Sequence, residues 1–151
     1  MVISIASGKG GTGKTTIACG LSSVVPNSVY IDCDVEEPNG FLLLKPEIAK
    51  EEAIYKLIPK INYDKCDFCN KCSEVCEFNA LLNLKTEIYL LDELCHSCGA
   101  CTYFCPKQAI TDVKKETGKL RIGKTNNDVL FFDATMRVGE ASATPLIKQV
   151  K

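Results

Sequence analysis

The sequence predicts an α/β fold, part of a parallel sheet, interrupted by a smaller α+β unit with its own chemistry. Three observations carry that prediction. A glycine-rich loop at residues 8–16 sits between a short apolar run and a helix-like stretch. Two cysteine groups of equal internal spacing fill the middle of the chain, and strand-like runs return after them.

Residues 2–6 read as a short buried strand and residues 15–21 as a helix, so the loop between them has the strand–loop–helix setting of a phosphate-binding site. Gly8, Gly13, Lys14 and Thr15 fit G-x-x-x-x-G-K-[ST]. In that pattern backbone N–H groups cradle phosphates, the lysine reaches the β/γ oxygens and the hydroxyl ligates Mg²⁺. Glycines at 8, 10, 11 and 13 allow close approach of the backbone to an anion. The residues expected at ATP are therefore Gly8, Lys9, Gly10, Gly11, Thr12, Gly13, Lys14, Thr15 and Thr16, with Thr15 also on the metal. An ordinary glycine-rich turn would not bring strand, Lys-Thr and helix in this order.

Residues 28–31 read as a second buried strand ending at Asp32-Cys33-Asp34, and ligands bind at such carboxyl ends in open α/β sheets. Lys9 directly after Gly8 makes the loop resemble K-G-G-x-G-K-[ST] of the MinD/ParA-type ATPases, relatives of the nitrogenase iron protein and the Mrp-type iron–sulfur carriers. That resemblance implies a P-loop NTPase sheet and an ATPase activity. It also implies that Lys9 crosses a dimer interface to a second nucleotide, and that Asp34, or failing it Asp32, organises Mg²⁺ and the attacking water. The simpler role for Asp32 is to cap a turn.

Across 151 residues, 46% are hydrophobic, as in ordinary globular chains, but ten are cysteine. No secretory signal and no run of membrane-spanning length is apparent, which places the thiols in a reducing cytoplasm and favours metal over disulfides. A net charge of −1 argues against a nucleic-acid surface. Residues 41–59 carry an apolar patch, then mixed charges, and read as a connector without a catalytic pattern.

Cys66, Cys69, Cys72 and Cys76 have C-x₂-C-x₂-C-x₃-C spacing, and Cys95, Cys98, Cys101 and Cys105 repeat it at a constant offset. Asn79-Ala80-Leu81 answers Gln108-Ala109-Ile110 at the same offset, so a piece of fold is duplicated. The segment at about 60–116 resembles a bacterial-type ferredoxin with two [4Fe–4S] clusters. In that family the fourth cysteine of each run ligates the other cluster. The resemblance therefore implies the sets Cys66, Cys69, Cys72, Cys105 and Cys95, Cys98, Cys101, Cys76. Pro106 follows Cys105 as in that family, whereas Glu77 replaces the corresponding proline. Zinc is the competing metal, but it prefers pairs of C-x₂-C across a longer loop. His96 is expected beside the site or in solvent, Cys19 in the core, and Phe68, Tyr103 and Phe104 as water-excluding core residues.

Residues 118–123 and 129–133 read as a hairpin around the turn-rich 124–128. The second strand ends on Asp133 like a Walker B strand, but Ala134-Thr135-Met136 follows, so a structural role is preferred. Thr144 reads as an N-cap and Pro145 as N1 of a helix running to Lys151. The expected domains are 1–59 and an incomplete 117–151 of a P-loop domain, with 60–116 inserted. The second switch of the ATPase family does not occur in this sequence, so exposed sheet edges and slow hydrolysis are expected. A homodimer or a partner would then supply the remaining half. The function implied is an ATP-binding iron–sulfur protein that couples nucleotide to electron transfer or cluster delivery, with a redox partner or an apo iron–sulfur client. The alternatives are a ferredoxin-like electron carrier with an inactive nucleotide part, and a scaffold with structural clusters.

Overall fold

The computed structural model describes residues 1–140 and 142–150, with the backbone alone at Pro145. In chain order the elements are α1 (Lys14–Val24), β1 (Val29–Asp32), α2 (Gly40–Leu44), β2 (Glu47–Ile61), α3 (Lys71–Glu74), β3 (Leu81–Asn83), β4 (Ile88–Leu90), a 3₁₀ turn (Asp92–Leu94), α4 (Ala100–Tyr103), β5 (Ile110–Lys124), β6 (Leu130–Met136) and α5 (Thr144–Val150). They form two compact units. One comprises Met1–Ile54, Gly118–Arg137 and Ala143–Lys151, the other Tyr55–Thr117 and Val138–Ser142.

In the first unit the strand order is β1-β6-β5-β2. β1 and β6 run parallel with Asp32 opposite Asp133, and β5 returns antiparallel with Arg121 opposite Asp133. The sheet is thus mixed, because the hairpin at 118–136 forms as its sequence predicts and places an antiparallel strand beside the parallel pair. β6 is buried on both faces by the two-residue alternation of a strand. Phe131 joins Cys19, Tyr30 and Val129 on the α1 side, while Phe132 and Ala134 pack with Val35, Ile54 and Leu146 on the α5 side. Burying Phe131 completely contributes about 1.5–3 kcal/mol before the entropy of ordering it is counted.

Two expectations need correction. Residues 2–6 form no strand, and Val2 is 93% exposed. β1 lies at the sheet edge with Val29 and Ile31 exposed, and among the described residues no strand pairs with 2–6. A strand without a hydrogen-bonding neighbour is not stable in water. Residues 41–59 are not a plain connector either, since they hold α2 and most of the 15-residue β2. β2 is the other edge of the sheet, where solvent tolerates the charges that hide its alternation. α5 forms where a helix is expected, with Thr144 as its first residue and not its cap, while the ring of Pro145 and Lys151 lie outside the described residues.

In the second unit the sequence repeat is also a backbone repeat. α3 and α4 are separated by the same offset as the two cysteine motifs, and positive φ recurs at Phe68 and Ser97, Asn70 and Gly99, Asn79 and Gln108. β3 and β4 pair antiparallel, with Leu81 opposite Leu90.

Candidate functional site

The nucleotide-loop residues form one exposed turn running into α1, which begins at Lys14. Gly13 takes φ 83° at the helix N-cap, a left-handed conformation that a β-carbon disfavours. The Lys14 ammonium folds back on the loop, donating to Ser7 Oγ at 3.2 Å and to the Lys9 carbonyl at 3.1 Å. Ser7 Oγ also donates to that carbonyl at 2.8 Å and lies 2.7 Å from Thr12 Oγ1. Gly8, Gly10 and Gly11 have open space where a β-carbon would stand. Lys9 and Thr16 are exposed and Thr15 is half-buried, so the cation, the hydroxyl and the helix N-terminus all belong to the same few residues.

At the end of β1 the two aspartates differ. Asp32 is buried, and its carboxylate accepts from the Tyr30 hydroxyl at 3.2 Å and from the amides of Asp34 at 3.1 Å and Gly40 at 3.0 Å. Gly40 is needed beneath Tyr30, because a β-carbon there would stand 2.4 Å from the phenol oxygen. Asp34 is exposed and accepts only the long 3.4 Å bond from Glu37 N among the hydrogen bonds described. Asp32 therefore holds the loop, and Asp34 has oxygens to offer a ligand. Asp133 is fully buried and bound by Arg121, Nε to Oδ1 at 2.8 Å, with the guanidinium 4.4 Å from the Phe41 ring centre.

In the second unit the eight motif cysteines surround two separate cavities. Cys66, Cys69, Cys72 and Cys105 line one, with Phe68 and Ile88 in its wall. Cys76, Cys95, Cys98 and Cys101 line the other, with Leu57, Phe78 and Leu81. Among the described residues no three His, Cys, Asp or Glu side chains converge closely enough for a single ion. Four thiols spread over the wall of one cavity suit a multi-iron cluster with one thiolate per iron better than a lone tetrahedral zinc. In kind and number, four thiols to a cavity are the donors such a group would need. Burial pushes the Cys72 thiol up, and it pushes Cys101 up to about 11, with neighbouring thiols adding to both effects. Such thiols ionise more readily beside a positive charge, of which a bound metal would be one. The amide of Ala80 reaches Cys76 Sγ at 3.3 Å, and at the matching place in the second motif the amide of Ala109 reaches Cys105 Sγ at 3.3 Å.

His96 is exposed and stacks on Phe78 with ring centres 3.8 Å apart. Tyr103 and Phe104 are not core residues, being 83% and 52% exposed, because the short α4 turns them outward. Sequence reasoning missed an ionic cluster in this unit. Lys56 pairs with Glu140, both buried, and Lys115 Nζ lies 2.5 Å from Asp92 Oδ2, holding that carboxyl below the usual range. Its one signal in the sequence was a lysine at an inward-facing position of the alternating run 54–58.

The loop-and-helix turn on a mixed α/β sheet defines a nucleotide-binding protein of the P-loop class. The sequence model of the CobQ/CobB/MinD/ParA nucleotide binding domain matches residues 3–142, and the chain belongs to that family. It is 36% identical over its whole length to uncharacterized protein MJ0578 of Methanocaldococcus jannaschii, covering 54% of that protein. It is 30% identical to uncharacterized protein MJ0579 of the same organism, covering 55%. The chain spans about half the length of these curated relatives. No helix among the described residues is long and apolar enough to cross a membrane.

Proposed function

We propose that this chain binds Mg·ATP at its glycine-rich loop, holds two [4Fe–4S] clusters, and couples nucleotide binding to electron transfer or cluster delivery. The observation that carries the iron–sulfur part is the crossed division of the cysteines, three from one motif and the fourth from the other around each cavity. Cys66, Cys69, Cys72 and Cys105 would hold one cluster, and Cys76, Cys95, Cys98 and Cys101 the other. The bound groups supply one-electron chemistry. The chain's own residues exclude water through Phe68, Ile88 and Leu81 and donate amide hydrogens to sulfur at Cys76 and Cys105. Both features tune the potential of such centres.

At the nucleotide, Lys14 would exchange its bonds to Ser7 and Lys9 for phosphate oxygens, Thr15 would ligate Mg²⁺, and the exposed Asp34 would orient water. Lys9, exposed on the loop, would reach a nucleotide across a dimer. The partner is a redox protein or an apo iron–sulfur client, with a second copy or another subunit completing the nucleotide site.

A ferredoxin-like carrier with an inactive nucleotide part is the second reading. It is favoured by residues 1–6 standing outside the sheet that would anchor the loop. Anaerobically purified protein is expected to hold about eight iron and eight sulfide. Iron analysis and calorimetry with Mg·ATP test the two halves separately. Colourless protein after reconstitution removes the clusters, and absent ATP binding leaves the simple carrier.

A further inference from the structure

We infer that Lys56 is a positioning residue that fastens the approach to the second cysteine set and makes the two thiolate sites inequivalent; this rests on the iron–sulfur reading above. Lys56 is on β2 with its side chain 1% exposed. Its ammonium donates to the buried Glu140 carboxylate and, at 2.8 Å, to the carbonyl oxygen of Asp92. That same oxygen accepts the amide of Cys95 at 3.2 Å, so a buried cation and the first cysteine of the second motif share one acceptor. Lys115 completes the cluster, with Asp92 Oδ2 at 2.5 Å and Glu140 Oε2 at 3.9 Å.

The equivalent place in the first motif is built differently. There the Asn62 carbonyl takes the amides of Lys65 and Cys66, and Tyr63 stacks on Phe68. The bond from Lys65 has its counterpart in Leu94 N to the Leu91 carbonyl, so the two copies share the backbone turn; the ionic anchor stands at the second copy and the aromatic stack at the first. A buried ammonium is tolerated only while its partners stay in place, because losing one leaves charge without compensation. Moving the 3₁₀ turn away from Lys56 is costly for that reason, and the turn leads straight into Cys95.

The test uses anaerobic holoprotein as wild type, as Lys56→Met, and as the double variant Lys56→Met/Glu140→Leu, which leaves no lone buried carboxylate. Hydrogen exchange is followed at amides 94–101 and 65–72, and iron loss to a chelator is followed with cluster-resolved EPR. Both variants are expected to exchange at 94–101 at least about tenfold faster than wild type, the effect of losing a charged hydrogen bond. Exchange at 65–72 stays unchanged, and only the cluster held by Cys76, Cys95, Cys98 and Cys101 loses iron faster. Wild-type exchange at 94–101 in the double variant, or equal acceleration in both stretches, overturns the inference. Absence of clusters from the wild type sinks the function proposal instead, while exchange still decides the role of Lys56.

Discussion

Arg121 and Asp133 face each other across the β5–β6 pair, and the guanidinium grips the carboxylate through two nitrogens while resting on Phe41. Each carboxylate oxygen accepts from Arg121 and Asp133 is fully buried, so it is held as a structural partner and presents no exposed oxygen to a metal. Asp133→Asn is expected to destabilise the chain by about 3 kcal/mol, the low end for breaking a buried pair, because the Arg121 side chain is 23% exposed. Mg·ATP affinity should be unchanged. Chemical denaturation and calorimetry on the same variant check both halves, and loss of affinity without loss of stability would return Asp133 to the nucleotide site.

The cysteine cavities predict a crossed phenotype. Cys105→Ser should damage the cluster shared with Cys66, Cys69 and Cys72, and Cys76→Ser the one shared with Cys95, Cys98 and Cys101. EPR of the reduced variants reads which signal is lost. Damage confined to the cysteine's own motif in either variant contradicts the crossed assignment.

Lys14→Ala should weaken Mg·ATP binding at least about tenfold, since a charged hydrogen bond to phosphate is lost. The midpoint of denaturation should hardly move, because the bonds Lys14 makes within the loop are exposed. Titration calorimetry beside a melting curve separates the two. A variant that binds as tightly as the wild type shows that nucleotide, if bound, is bound elsewhere.

Cys19 and Tyr30 predict an alkaline limit. Burial raises the ionisation of both above their ordinary values of 9.0 and 10.0. Each stays protonated when folded while the unfolded chain releases protons, so stability is full below pH 9 and falls as pH rises above it. Cys19→Ala should show a shallower fall above pH 9 than the wild type. Denaturant midpoints at each pH measure the slope, and identical slopes would remove Cys19 from the account.

What the sequence by itself determined is what depends on neighbours in the chain. The turn at residues 8–13 follows from its glycines, the hairpin around 124–128 from turn residues between apolar runs, and the cysteine repeat from spacing alone. All three are local, since backbone dihedrals and short loops decide them. The grouping of Cys105 with Cys66, Cys69 and Cys72 could be expected only through family resemblance, and it is the tertiary structure that brings them around one cavity. Tertiary structure alone decided that β2 is a strand, because its inward position at 56 holds a lysine whose partner is 84 residues away. It also left residues 2–6 out of the sheet although their composition is that of a strand, since a strand is stable only beside another, and no short run carries its own neighbour.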